Sequence, residues 1–335
     1  MEKKDKRESA ALVGDVGATY ARFALLRESS PGRLHPEISD IQVLQTKAHA
    51  SLEGLIVHYL TLARLPRTPR RGCIAVAGVV DGDSVYMPNP EWRFSAQALQ
   101  TRLGCETLLW INDLAAQAWS IPETGPEALL QIGGGKRDEK APFVLIGPGS
   151  GLGVAGGAPS TDGLMVIASE GGHAGFAPQD AMEIDIFRYL LNIFGRVSNE
   201  RLLSGPGIEN IHRAISHFHG VEEKSLSAPE ITERAVAGVC PICRETLQVF
   251  FSVLGGVAGD IALIMGGKGG VFITGGIVPR LADLLKTSSF RNRFEEKGRF
   301  ESYLKQVPVF IVKTQYPGLE GSAAVFRNTI ILNKR

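Results

Sequence analysis

Residues 11–26 read ALVGDVGATYARFALL: an apolar run, a tip of small residues carrying Asp15, and a second apolar run. Two runs of strand length on either side of a Gly-Ala-Thr turn predict a β-hairpin with a glycine-rich tip. The pattern recurs at 143–156, FVLIGPGSGLGVAG, where Gly147-Pro148-Gly149-Ser150-Gly151-Leu152-Gly153 forms the tip. Two hairpins of one design predict a duplicated architecture. After the first, IQVLQT, CIAVAGVV and LLWIND read as strands, and 52–62 and 95–103 have helical spacing. That alternation predicts an α/β lobe. The segment 121–126, with two prolines and a glycine, marks the crossing into a second lobe. There, helices are expected over about 180–194, 198–216 and 229–266, then the strand VFIT, the tip Gly275-Gly276 and the strand PVFIVK. A last helix from about 318 returns to the first lobe. The expected domains are a small lobe, 10–122 plus about 318–335, and a large lobe, 123–317.

The rest of the composition narrows the partners. Apolar residues make up 44% of the 335 and charged residues 21%, ordinary for a chain that folds by itself. A formal net charge of +1 gives no electrostatic reason for nucleic acid or an anionic membrane as a partner. Cys73, Cys105, Cys240 and Cys243 are too few and too unevenly spaced for a disulfide framework, which points to a reducing compartment. The N-terminal MEKKDKRESAA shows no signal-peptide core, so a cytoplasmic location is expected. The stretch 249–267 is apolar enough to imitate a membrane span, but Asp260 and five glycines favour a buried core helix. Gly 39 is about 12% of the chain against a usual 7%, a sign of close backbone approach.

Several constellations can carry chemistry. Gly14-Asp15-Val16-Gly17-Ala18-Thr19 puts a carboxylate at a strand end before a turn whose N–H groups can cradle phosphate, with Asp15 able to hold Mg²⁺ directly or through water. The plain alternative is a hairpin with an Asp in its turn. Gly149, Ser150 and Gly151 form a second cradle, and Gly275-Gly276 a third close-approach site. Gly151, Gly153 and Gly156 satisfy a dinucleotide spacing, but GAPSTDG follows where that motif needs a helix. Asn112-Asp113 ends a strand and opens a helix, so Asp113 reads either as an N-cap or as a carboxylate placed for chemistry. Glu170-Gly171-Gly172-His173 can converge on a polyol or be an exposed loop, and Glu200 can cap a helix start. Cys240-x-x-Cys243, with His217 and His219 upstream, reads as buried thiols rather than a zinc site.

Together these pieces resemble the bacterial glucokinase family of the hexokinase and actin-like ATPase superfamily. The matching segments, in family order, are LVGDVGATYAR, GCIAVAG, NPEWRFS, INDLAAQA, GSGLGVA, EGGHAGFAP, VSNERLLSGPG, GGVFITGGIVPR, FRNRFEEKGRF and YPGLEGSAAV. The resemblance implies an α/β fold of the two-lobed actin-like ATPase type, each lobe built on a five-stranded ribonuclease-H-like sheet, with a cleft between the lobes. It implies ATP and Mg²⁺ as cofactors, glucose as acceptor, glucose 6-phosphate as product, and a homodimer. By matching position, Asp113 looks like the base for the 6-hydroxyl, and Asn112, Glu170, His173 and Glu200 like the groups that hold the other hydroxyls. Residues 14–19, with Gly149, Ser150 and Gly151, look like the phosphate loops, and Gly275-Gly276 like the adenosine-side loop. A non-catalytic sugar-binding regulator is the alternative. A DNA-binding regulator is disfavoured, because only about ten residues precede the first strand.

The chain departs from the family pattern at a few positions. Ala18 and Tyr20 stand where a second Gly and an Asn are usual, Ser150 where Thr is common, and Gly175 where Asp is common. A phosphate-cradling turn often needs positive φ, which a residue with a Cβ reaches only at a cost of about 1–2 kcal/mol. Ala18 is therefore expected to loosen the first phosphate loop and, with Tyr20, to weaken nucleotide binding.

Overall fold

The computed structural model describes residues 10–27, 37–65, 67–161, 163–221 and 225–332. The N-terminal MEKKDKRES, read for a signal sequence, lies outside them. The chain divides into two compact units, one running to Glu123 and resuming at Thr314, the other Thr124–Lys313.

The first unit opens with β1 (Ala11–Val16), β2 (Tyr20–Arg27) and β3 (Glu37–Gln45), joined as an antiparallel meander. Helix α1 (Leu52–Leu62) comes next, started by the Ser51 hydroxyl, which accepts from the Gly54 N–H at 3.1 Å. Then come β4 (Arg71–Val76), β5 (Val79–Asp81), β6 (Ser84–Met87), β7 (Trp92–Ser95), α2 (Ala96–Leu103), β8 (Thr107–Asn112) and α3 (Asp113–Ser120). The main sheet has the order β3-β2-β1-β4-β8, with β1, β4 and β8 parallel. The run CIAVAGVV, expected as one strand, is two: β4 belongs to this sheet and β5 to a separate three-stranded sheet β5-β6-β7. The chain turns at Gly78, where a Cβ would lie 2.2 Å from the Tyr86 carbonyl oxygen. Because side chains alternate along a strand, Leu12 and Val16 pack against the side bearing Leu55 and Leu99, while Ala11 and Val13 pack against Leu319 and Phe326 of the returning C-terminal helix.

The second unit contains β9 (Leu129–Ile132), β10 (Phe143–Pro148), β11 (Leu152–Ser160), β12 (Gly163–Ser169), α4 (Ala181–Phe194), α5 (Gly205–Phe218), α6 (Ala228–Val236), α7 (Pro241–Met265), β13 (Val271–Ile273), α8 (Ala282–Lys286), α9 (Phe290–Glu295), α10 (Glu301–Lys305) and β14 (Val309–Val312). Its sheet order is β12-β11-β10-β13-β14-β9. The first five repeat the pairing senses of β3-β2-β1-β4-β8, so the duplication expected from the two hairpins is present. The sheet has six strands rather than five, because β9 adds antiparallel to the edge of β14. The second glycine tip leads into the strand β11, not into the helix that a dinucleotide motif requires.

The expected helix over 229–266 is divided. Gly238 at φ +72° ends α6, and Pro241 at the first position of α7 restarts it. The expected helix from 198 begins at 205, with Ser204 as its N-cap; Glu200 lies in a short 3₁₀ turn before it and is not the cap. Helix α7 is long and apolar enough to cross a membrane by length and composition, yet 67% of that stretch is buried in the unit's core. Its glycines allow a close helix contact. A Cβ at Gly255 would sit 2.2 Å from the Phe290 carbonyl oxygen and one at Gly259 2.5 Å from that of Phe294, so α9 crosses α7 backbone to backbone. Asp260 pairs with Lys297 at 2.6 Å. The chain closes with α11 (Pro317–Leu332), which packs on α3, β1 and β4 of the first unit.

Candidate active site

In the first unit, the candidate residues collect at the C-terminal ends of parallel strands. Asp15 is level with Ala75 on β4, and Asn112 with Val76 one residue further along, so both lie at the C-terminal end of the parallel strands while their side chains leave opposite faces of the sheet. The capping duty expected of Asp113 is done by Asn112. Its Oδ1 accepts from the Leu114 and Ala115 N–H groups, both at 3.0 Å, and its Nδ2 donates to the Gly78 carbonyl at 3.2 Å. Asp113 is therefore the first helical residue, with Oδ1 accepting from the Leu114 N–H at 2.9 Å. A carboxylate there is favoured as an anion by the helix dipole.

Asp15 is mostly buried, its side chain 14% exposed. Burial pushes its carboxyl up from the ordinary Asp range, and Arg22, 3.4 Å away and directly opposite in the hairpin register, pulls it back in part. Gly318, in the first turn of α11, lies against the carboxylate; a Cβ there would be 2.2 Å from Asp15 Cγ. A single hard oxygen donor at a strand end suits Mg²⁺ that arrives with phosphate oxygens. Among the described residues no group of three or more His, Cys, Asp or Glu is arranged to hold an ion by itself.

The positive φ on which the expectation for Ala18 rests is absent. Outside glycine, the described residues at positive φ are Asp40, Arg64 and Glu91, so Ala18 bears no left-handed strain, and Gly17 has no positive φ either. The turn closes instead by the Gly17 N–H donating to the Tyr20 carbonyl at 3.0 Å. Tyr20 begins β2 and is 46% exposed.

In the second unit, several candidates are contiguous. The tip is fastened by the Gly205 N–H donating to the Gly149 carbonyl at 2.8 Å and by the Leu152 N–H donating to Glu200 Oε2 at 3.0 Å. Gly275, at φ +87°, abuts the same tip, for a Cβ there would lie 2.3 Å from the Pro148 carbonyl oxygen. Gly172 is as close to Leu152, which brings the 170–173 loop against the tip. His173 Nδ1 is 4.0 Å from Glu200 Oε1, and the Arg196 guanidinium donates to the His173 carbonyl at 2.7 Å. Glu170 starts the 3₁₀ turn that ends at His173. Glu170, His173 and Ser150 are exposed, as are Gly275 and Gly276. A cavity of about 400 Å³ beside this loop is lined by Gly171, Phe176, Val257 and Met265, but not by Glu170, His173 or Glu200.

Sequence reasoning misses Arg22, Gly318, Arg196 and the link from Glu200 to Leu152. Arg22 is readable in principle, since a hairpin closing between Gly17 and Tyr20 places residue 22 opposite residue 15. The other three are long-range and leave no local pattern.

The glucokinase family profile matches residues 12–329. The chain is 44% identical over 313 residues to a glucokinase of Chromobacterium violaceum, covering 93% of this chain and 88% of that protein. It is 42% identical over 317 residues to a glucokinase of Neisseria meningitidis, covering 95% and 94%. A solved glucokinase from an Antarctic psychrotroph superposes with a TM-score of 0.83 at 34% identity, covering 96% and 99%. A ROK family glucokinase of Streptomyces griseus, solved with glucose and AMPPNP, superposes at 0.63 with 19% identity, covering 95% and 99%, and speaks for the fold alone. This chain belongs to the glucokinase family.

Proposed function

We propose that this protein transfers the γ-phosphoryl group of ATP to the 6-hydroxyl of glucose, with Asp113 as the general base. Full-length identity to glucokinases carries the reaction. Within the site, the reading is supported by one observation above all: Asn112 is the N-cap of α3, accepting from the Leu114 and Ala115 amides, which puts the Asp113 carboxylate at the first helical position, where its Oδ1 shares the Leu114 amide. Phosphoryl transfer asks mainly for in-line positioning and charge neutralisation, and a carboxylate suffices to accept an alcohol proton.

Asn112 keeps a second Nδ2 hydrogen for a sugar oxygen while its Oδ1 caps the helix. Glu170, His173 and Glu200 hold other hydroxyls. The exposure of Glu170 and His173 means that the bound sugar itself must supply the dry surroundings that strengthen those bonds. Residues 14–19 and Gly149, Ser150 and Gly151 receive the phosphates, and Gly275-Gly276 offer bare backbone to the adenosine. Mg²⁺ bound at Asp15 would neutralise phosphate charge and orient the β- and γ-oxygens. We further infer that the two units are the lobes of an actin-like ATPase fold, and that the enzyme is a cytoplasmic homodimer serving glycolysis. Glucokinase relatives spanning nearly the whole chain leave the non-catalytic regulator unfavoured.

The test is a coupled assay of ADP release with glucose and MgATP. Glucose-dependent ADP release with glucose 6-phosphate as product is expected; glucose binding without ADP release would put the regulator in the kinase's place.

A further inference from the structure

Phosphoryl transfer makes no use of Cys240 and Cys243, and among the described residues the two form no group of metal donors with the nearby histidines. His219 Nε2 lies 3.0 Å from Glu245 Oε2, and the His217 ring packs 5.3 Å from that of Tyr189. The cysteines instead form the first turn of α7. Cys240 is the N-cap, and its Sγ accepts from the Cys243 N–H at 3.3 Å, with Pro241 at the first helical position. Residues three apart in a helical turn are neighbours, at Cα separations in the range of about 4.4–6.8 Å that a disulfide spans.

Neither sulfur is in a disulfide, and the two are unequal. Cys240 is half-buried, whereas Cys243 is fully buried in the core of the second unit. Cys243 Sγ lies 3.7 Å from His212 Nε2 on α5. The 25-residue α7 starts at Cys240, and the half-buried Cys240 is the one of the two that a small disulfide can reach. An accessible sulfur at a helix start, a shielded sulfur one turn on, and an imidazole beside the second together make an exchange centre.

We propose that Cys240 and Cys243 are a redox-active dithiol that a low-molecular-weight disulfide, such as oxidised glutathione, converts reversibly into a disulfide within the first turn of α7. Cys240 thiolate attacks one sulfur of the small disulfide; a mixed disulfide forms, the small S–S bond breaks, and one thiolate leaves and takes up a proton. The Cys243 thiol gives its proton to His212 Nε2, and Cys243 Sγ attacks Cys240 Sγ. The Cys240–Cys243 bond forms, the mixed disulfide breaks, and the second small thiolate leaves with the proton that His212 returns. Two protein thiols are oxidised and one small disulfide is reduced to two thiols.

The experiment equilibrates the full-length protein in oxidised and reduced glutathione mixtures, quenches with acid, unfolds it, alkylates free thiols and reads the mass. The chain has four cysteines. Alkylation is expected to fall from four sites to two in one step under oxidising mixtures, the loss mapping to the peptide holding Cys240 and Cys243, and to return to four after reduction. Cys243→Ala is expected to trap one glutathione on Cys240, since no resolving thiol remains, while Cys240→Ser forms no adduct on the shielded Cys243. Four alkylatable thiols persisting in fully oxidised glutathione overturn the proposal, and that result comes from the wild-type protein, whatever the variants' folding. A glutathione adduct stable on wild-type Cys240, with no loss of Cys243, overturns it equally.

Discussion

The two glycine tips come from the same strand order and are secured by opposite means. At 14–19 the tip is backed by a charge of its own strand: Asp15, buried between Arg22 and the backbone of Gly318. At 149–151 the tip has no charge, and it is tied down by the first amide of α5 and by a carboxylate lent from the loop at Glu200. Duplication has thus repeated the strand positions and not the chemistry at their ends. In the first unit, acids stand at strand ends, where they can act on a phosphate or a hydroxyl. In the second, Glu200 spends one oxygen on the Leu152 amide, as Asp113 does on the Leu114 amide in the first, so what separates the two tips is the buried Asp15 with its Arg22 partner.

The largest break in this contrast is expected at Asp113. Asp113→Asn keeps shape and leaves the Asn112 cap in place, but it removes the proposed proton acceptor. A general base is worth about 10²–10⁴-fold in rate, so kcat should fall by that order while glucose binding by calorimetry stays within about threefold. Turnover near that of the wild type would move the base elsewhere.

A second pair of variants compares the two tips directly. Gly318→Ala drives a Cβ into Asp15, a short side chain on a central strand with little room to move. Overpacking of this kind costs about 1–3 kcal/mol, and the displaced carboxylate should raise the Mg²⁺ requirement markedly. Gly151→Ala meets only the end of the Glu200 side chain, 2.6 Å away, which can pivot. It should cost under about 1 kcal/mol and raise the glucose KM a few-fold, as Glu200 leaves the Leu152 amide. Thermal melts with Mg²⁺ and glucose titrations decide the order, and equal penalties would erase the distinction.

How much of this was legible in sequence depended on range. The hairpins 11–26 and 143–156 announce themselves, because each apolar run, turn and return lies within one short stretch. The division of α6 from α7 was equally local: Gly238 and Pro241 are ordinary stop and start signals, overridden by the apolar periodicity on both sides. Strand β9 was not legible, since four residues have no pattern of their own and become a strand only by pairing with β14. At the site, Asn112-Asp113 was readable as a cap beside an acid, but which residue caps depends on the carbonyl of Gly78. The hold of Glu200 on Leu152, 48 residues apart, exists only in the folded unit.

The buried charge at the first tip also predicts a pH effect on stability. Burial raises the Asp15 carboxyl above the ordinary Asp value of 3.8 that it has when unfolded. The folded protein therefore prefers the protonated form, and the associated stability is full below 3.8 and is lost as pH rises through the raised folded value. Asp15→Asn cannot ionise and escapes that loss, while Arg22, 33% exposed, stays solvated without its partner. Without Mg²⁺ the variant should melt above wild type at pH 7, with the gap closing as the pH falls toward the ordinary Asp range. A variant that melts below wild type at pH 7 would mean that Arg22 outweighs burial.

The smallest effect is expected where the sequence departs most visibly from its family. A Gly at 18 would be favoured only if the turn demanded positive φ, and Ala18 is not among the residues that adopt it. Tyr20 contributes its carbonyl to the turn and leaves its ring largely in solvent, so an Asn side chain there has no buried contact to restore. Ala18→Gly with Tyr20→Asn should therefore leave the MgATP KM within about twofold. What the double variant does change is the unfolded chain: glycine adds backbone freedom there, so stability should drop by roughly 0.4–1 kcal/mol, visible in a urea melt. A several-fold gain in ATP affinity would show that the first tip changes its backbone when phosphate arrives. The unstrained turn would then be only its resting form, and the two tips would differ in motion as well as in charge.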